Sequence, residues 1–200
     1  MNKHSRLYLV RHGQVEGYDR NPVYGHTDVG ITQVGKLQME SLSERLRLAD
    51  IGVIYSSDLK RSVIGAQIIA RYHDVPHHIV PELREMYFGT WEGMTLEEIH
   101  ERFTHELRKR KKNIVDFKPP GGGESFSELS GRVSPCFREI LEKHQGENIL
   151  LVGHGGVNRI ILCEAMGLDF SRLFSLRQDY GCLNVIDFFP DTTVVRLMNG

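Results

Sequence analysis

An apolar run, Leu7-Tyr8-Leu9-Val10, ends directly in Arg11-His12-Gly13. A β-type run that stops this way sets a permanent cation and an imidazole at the lip of a sheet, where open α/β sheets place their ligands. A neutral imidazole beside a guanidinium suits attack on a phosphoryl group whose oxygens the cation holds. Two further junctions repeat this chemistry. Ser56-Ser57-Asp58-Leu59-Lys60-Arg61-Ser62 puts Arg61 at the start of an expected helix, where free N–H groups and the helix dipole already favour anions. An apolar run at Asn148–Val152 leads into Gly153-His154-Gly155-Gly156. That makes His154 a second imidazole at a strand end, with glycines that let the backbone, at Gly155 above all, pass close to a ligand. Taken singly, each has a bland reading as a solvated arginine or a histidine in a turn. Two histidines and two arginines at the strand ends and helix starts of one sheet are harder to explain that way.

The elements that must position them follow from periodicity. Strands are expected at Arg6–Val10, Gly52–Tyr55, His77–Val80 and Asn148–Val152, with a closing pair at Cys182–Phe188 and Thr193–Met198. Met39, Leu42, Leu46 and Ala49 give one apolar face to a helix over Thr32–Ala49. A second helix is expected over Asp58–Arg71, capped by Ser56 or Ser57. Capping-box patterns at Thr95-Leu96-Glu97-Glu98 and Ser125-Phe126-Ser127-Glu128 open helices to about Arg110 and to His144, and Pro135 should kink or interrupt the latter. Val157–Met166 is a helix stopped by Gly167. Strands alternating with helices imply a three-layer α/β/α fold, its sheet mostly parallel with one antiparallel edge strand. The long loop Arg11–Ile31 is of the length that usually carries function. Residues 94–120 are helical and charged and lack a strand, so they read as a small cap inserted over the sheet's carboxyl edge.

Bulk properties narrow the class. At 200 residues, with 40% hydrophobic and 26% charged residues and net charge −1, one domain spanning 1–200 is expected. Near-neutral charge argues against binding nucleic acid by bulk electrostatics, and the run Arg108-Lys109-Arg110-Lys111-Lys112 reads as a solvated helix end or a lure for phosphorylated substrates. Cys136, Cys163 and Cys182 form no Cys-x-x-Cys, so reduced thiols in a cytoplasmic protein are expected. The polar stretch Met1–Arg6 is no signal peptide, and no apolar run reaches the ~18 residues of a membrane span. His73, His77 and His78 read as structural or solvated. No metal and no cofactor are expected. A homodimer is left open.

The junctions together resemble the histidine phosphatase superfamily, also called phosphoglycerate mutase-like. Arg11-His12-Gly13 resembles its nucleophile motif. Gly25-His26-Thr27-Asp28, with Ile31-Thr32, Gly35 and Gln38, is similar to its next block. Tyr55 through Ser62, with Ala66, resembles its second arginine block, and Pro81-Glu82-Leu83-Arg84-Glu85, with Phe88-Gly89 and Trp91-Glu92-Gly93, its acid block. Gly122-Gly123-Glu124-Ser125 and Val152-Gly153-His154-Gly155 complete a series that runs in order over nearly the whole chain. The sequence departs from the family at Tyr18, where Asn is frequent, at Gly65, where Thr is frequent, and at Thr90, where Asp is usual.

The resemblance implies a phosphoglycerate mutase-like fold and a phosphohistidine at His12. Arg11 and Arg61 would neutralise phosphoryl oxygens through bidentate forks, and His154 would add a third positive donor when protonated. Glu85 matches the family's acid and would protonate the leaving alkoxide, with Glu16 a distant rival. Gly155, Thr27 and the Tyr18 position are expected on the phosphate side of the pocket. Gln178, Tyr180 and the cap would read the rest of the substrate. The expected activity is hydrolysis of a small phosphate monoester, with α-ribazole-5′-phosphate of cobalamin synthesis one candidate. The alternatives are a phosphoglycerate mutase, a broad-specificity sugar or organic acid phosphatase, and a non-catalytic phosphate-binding module.

Overall fold

The computed structural model describes residues 4–200. Residues 1–3, on which part of the expectation for the N-terminus falls, lie outside the described residues. Six strands form one sheet: β1 (Ser5–Arg11), β2 (Val53–Ser56), β3 (His77–Ile79), β4 (Asn148–Gly153), β5 (Leu183–Phe188) and β6 (Thr193–Leu197), in the order β3-β2-β4-β1-β5-β6. β3, β2, β4 and β1 run parallel. The antiparallel pairing is confined to the other side, where β5 pairs with β1 and β6 with β5.

The central strand β4 shows why the sheet needs two helical layers. Its side chains alternate, as the pleat requires. Ile149 and Leu151 enter a core formed with α5 (Phe126–Lys143) and α6 (Gly155–Met166). Leu150 and Val152 enter another, formed with α1 (Gln33–Leu46) and α2 (Lys60–Ala70). The chain therefore leaves β1 toward one face and β4 toward the other. These two strands are neighbours, so their carboxyl ends open a crevice where the connections diverge.

Several local expectations are corrected. α2 starts at Lys60, and its N-cap is Leu59, which has no capping side chain. The Ser57 hydroxyl accepts from Leu59 N just ahead of the helix and also pairs with His154. The expected helix from Thr95 to Arg110 is two helices, α3 (Leu96–Arg102) and α4 (Thr104–Lys112). They break at Phe103 (φ −129°, ψ 35°), whose ring packs edge-on against Trp91. Pro135 does not interrupt α5. Its missing N–H would have served the carbonyl of Gly131, and both residues are exposed, so that carbonyl is open to solvent. The capping boxes at Thr95 and Ser125 are both formed.

Candidate active site

The register of β1 against β4 builds the centre of the site. Arg11 pairs with Gly153, and the His12 N–H donates to the Gly153 carbonyl at 3.1 Å. His12 and His154, each one residue on, therefore leave neighbouring strand ends together, with ring centroids 5.1 Å apart. His12 is 4% exposed and His154 is fully buried. Their separation suits two groups meeting one tetrahedral anion.

The two imidazoles are held differently. His12 Nδ1 lies 2.9 Å from the Gly13 carbonyl, an acceptor, so the proton sits on Nδ1 and Nε2 keeps its lone pair. Burial, then the nearby Arg11 and Arg61 guanidiniums, push His12 well below the ordinary imidazole range, so it is neutral and nucleophilic. His154 Nε2 is 2.7 Å from the Ser57 hydroxyl, whose oxygen already accepts from Leu59 N at 3.3 Å; with that hydroxyl donating to Nε2, the ring proton is assigned to Nδ1. Nδ1 is buried without a partner among the described residues. A positive charge on His154 depends on its protonation, which the free site disfavours. Burial, then Arg61, His12 and Arg11, hold it neutral as well. It serves as a donor through Nδ1–H, and only a bound anion would draw it toward the charged form.

The arginines are fixed by backbone carbonyls. Arg61, 1% exposed, donates from Nη1 to Thr27 O at 2.8 Å and from Nη2 to Gly25 O at 2.5 Å. Those carbonyls are placed by Glu92, which accepts from the N–H groups of Gly25, His26, Thr27 and Phe88. Burial alone would raise the Glu92 carboxyl, but the Thr27 hydroxyl and these N–H groups hold it below the ordinary range, so it is a carboxylate. Arg11 donates from Nη1 to Gln178 O at 2.6 Å and lies 4.0 Å over the Tyr180 ring. Its Nε is buried without a partner, a second unused donor beside that of His154.

Glu85, 8% exposed, completes the set. Its Oε2 accepts from Gly156 N at 2.9 Å, at the start of α6, and its Oε1 from Met86 N at 2.9 Å. Glu85 does not pair with its neighbour Arg84, which bonds Asp58. Arg132 of α5, paired with Glu124, donates to the carbonyls of Glu82, Arg84 and Glu85 and so fixes the segment that carries the acid.

Arg11, His12, Arg61, Glu85 and Gly155 line one cleft of about 260 Å³. A larger groove of about 580 Å³ runs beside β3 and α5, but none of these side chains reaches it. Thr27 is corrected from a phosphate contact to a support: it is exposed, and its carbonyl holds Arg61. Tyr18 is 46% exposed and meets the site only through Tyr180, edge-on at 5.8 Å. Gln178 does not face substrate. It is 3% exposed and bonded to Asn158 and Asn184 in a buried network behind Arg11. Glu16, the rival acid, is exposed and accepts from Gly30 N. His77 bonds Ser56, and His78 packs on Tyr55, as structural residues.

Sequence reasoning missed Ser57 as the partner of His154, and it missed Glu92 and Arg132 as organisers. It also missed Arg110, Arg159 and Phe174, which line the same cleft. The expectation of a cap at Ser56 or Ser57 could have flagged Ser57 as a hydroxyl at a strand end, but nothing in residue type marks an arginine that serves carbonyls.

Comparison with known proteins converges on one family. Residues 7–200 match the histidine phosphatase superfamily (branch 1). The chain is 30% identical over 197 residues to the adenosylcobalamin/alpha-ribazole phosphatase of Salmonella typhimurium (strain LT2), covering 97% of this chain and 96% of that protein. It is 29% identical over 196 residues to phosphoserine phosphatase 1 of Hydrogenobacter thermophilus, covering 97% and 92%. Its fold superposes on the alpha-ribazole phosphatase of Shigella flexneri with a TM-score of 0.89 at 28% identity, covering 98% and 96%.

Proposed function

This chain belongs to the histidine phosphatase superfamily and is a phosphatase, and we propose that it hydrolyses a small phosphate monoester through a phosphohistidine on His12. The observation that carries the reading is a neutral His12, its Nε2 free, meeting two guanidiniums at one cleft, with the buried His154 ring 5.1 Å behind it and its Nδ1 unpartnered among the described residues.

In the first step His12 Nε2 bonds to phosphorus as the ester P–O bond breaks. Arg11, Arg61 and His154 Nδ1–H stabilise the charge on the transferring oxygens, which is the main demand of phosphoryl transfer. Glu85 gives its proton to the leaving alkoxide. In the second step water attacks phosphorus and passes a proton to Glu85. The N–P bond breaks, and inorganic phosphate leaves with the starting enzyme restored.

α-Ribazole-5′-phosphate is a candidate substrate, supported by near full-length similarity to phosphatases named for it. Similarity to a phosphoserine phosphatase supports smaller phosphorylated acids equally well. A turnover screen over phosphate monoesters, read as inorganic phosphate release, tests the proposal. Phosphate release from at least one small monoester supports it. An isomerised phosphoglycerate without phosphate release would make the enzyme a mutase, and no turnover of any monoester would overturn the reading.

A further inference from the structure

We propose that Arg110 and Arg159 form a second anion subsite in the cleft, and that the substrate carries a carboxylate or a second phosphate besides the phosphoryl group it loses. This rests on the phosphatase reading above.

Arg110 belongs to the basic run of α4, but it differs from its neighbours. Arg108, Lys109, Lys111 and Lys112 are exposed, whereas Arg110 is half-buried and lines the cleft. Its guanidinium carbon lies 5.2 Å from the Phe174 ring, and that of Arg159, from α6, lies 5.3 Å from the same ring. One aromatic side chain thus carries two cations.

Neither cation has a carboxylate partner among the described residues. Arg159 donates from Nε to Leu176 O at 2.9 Å and from Nη1 to Gly155 O at 3.1 Å, which leaves Nη2 free. Arg110 makes no side-chain hydrogen bond among the described residues, and burial lowers both groups. Glu85 is near enough to raise Arg159, but its oxygens are occupied by Gly156 and Met86. A cation–π contact is worth about 0.5–1 kcal/mol at exposed sites. That does not offset the cost of desolvating two charges that lack a counter-ion.

The other partly buried arginines show what is missing. Arg6 pairs with Asp187, Arg84 with Asp58, and Arg132 with Glu124. Arg11 and Arg61 lack such a partner because the phosphoryl group supplies their anion. By the same reasoning Arg110 and Arg159 await an anion of their own. The cleft volume of about 260 Å³ is below the ~300 Å³ at which sites for drug-sized ligands begin, which favours a compact acid over a nucleotide-sized ester.

The test compares 3-phosphoglycerate with glycerol 3-phosphate, which differ by a carboxylate in place of a hydroxymethyl group, and adds propane-1,3-diol bisphosphate as the two-phosphate arm. The wild-type enzyme should favour at least one doubly anionic ester over glycerol 3-phosphate by roughly tenfold or more in kcat/KM. In Arg110→Gln that ratio should collapse at least fivefold, mainly through KM, and Arg110→Lys should recover part of it. No wild-type preference, or a ratio unmoved in Arg110→Gln, would overturn the subsite while leaving the phosphatase reading intact. Absence of phosphate release from every ester would instead remove the phosphatase reading on which the subsite depends.

Discussion

His12 works because its two ring nitrogens have different fates. Nδ1–H donates to Gly13 O, and burial with Arg11 and Arg61 suppresses protonation of Nε2. The sign of the pH effect follows: a nucleophile whose folded pKa is depressed stays active below the pH at which an ordinary imidazole would protonate. The acid limb of kcat/KM, corrected for substrate ionisation, should therefore lie below pH ~6.5. A limb at or above that value would contradict the depression. Glu85→Gln should slow alkyl phosphates by about 10²–10⁴-fold and an activated aryl phosphate far less, since only the poor leaving group needs a proton. Equal losses on both would remove Glu85 as the donor. At this scale the sequence was legible where a side chain itself carries the proposed chemistry. Arg11, His12, Arg61 and His154 stood out because cation and imidazole at strand ends and helix starts have few other uses, and Glu85 stood out only through its place in a family block. Ser57, Glu92 and Arg132 did not stand out, because their work is done on backbone groups and on a tautomer, which only coordinates reveal.

At the scale of elements, the site is a consequence of strand register. Pairing Arg11 with Gly153 sets the histidines side by side, and the start of α6 then presents Gly156 N to Glu85. A side chain is excluded there: a Cβ on Gly156 would sit 2.4 Å from Glu85 Oε1 and 3.2 Å from Leu129 Cδ2. Gly156→Ala should displace the acid and cost about 10²-fold on an alkyl phosphate, with circular dichroism unchanged, because misplacing a catalytic group by about 1 Å has that effect. A variant with full alkyl phosphatase activity would show that the Glu85 position is not critical. Alternating strands and helices made the three layers readable, and both capping boxes formed where their spacing placed them. The break at Phe103 was not readable, because it follows from packing against Trp91 of a distant turn. The unbroken α5 was not readable either, because the cost of Pro135 depends on which side of the helix faces water.

Across the whole molecule, the antiparallel edge is tied to β1 by one buried carboxylate. Asp187 of β5 is 1% exposed and bonds Arg6 of β1 and Arg196 of β6. The Arg6 hydrogen bond, against burial and with help from Arg196, lowers its carboxyl from 3.8 to about 2. A depressed carboxyl contributes stability above its unfolded value and loses it as pH falls through the folded one, so this contribution fades between about pH 4 and pH 2. Asp187→Asn should cost about 2 kcal/mol at neutral pH, roughly 4–8 °C in Tm, with the difference from wild type shrinking toward pH 2. A Tm difference independent of pH would assign the effect to packing. Among the described residues no helix is long and apolar enough to cross a membrane, and the net charge is −1. The measurement that bears most directly on this account is rapid-quench labelling with a ³²P-phosphate monoester. We predict an acid-labile, base-stable label on His12, approaching one per chain and absent from a folded His12→Ala enzyme whose turnover has fallen at least about 10⁴-fold. A label on another residue, or undiminished turnover in His12→Ala, would contradict the phosphohistidine mechanism.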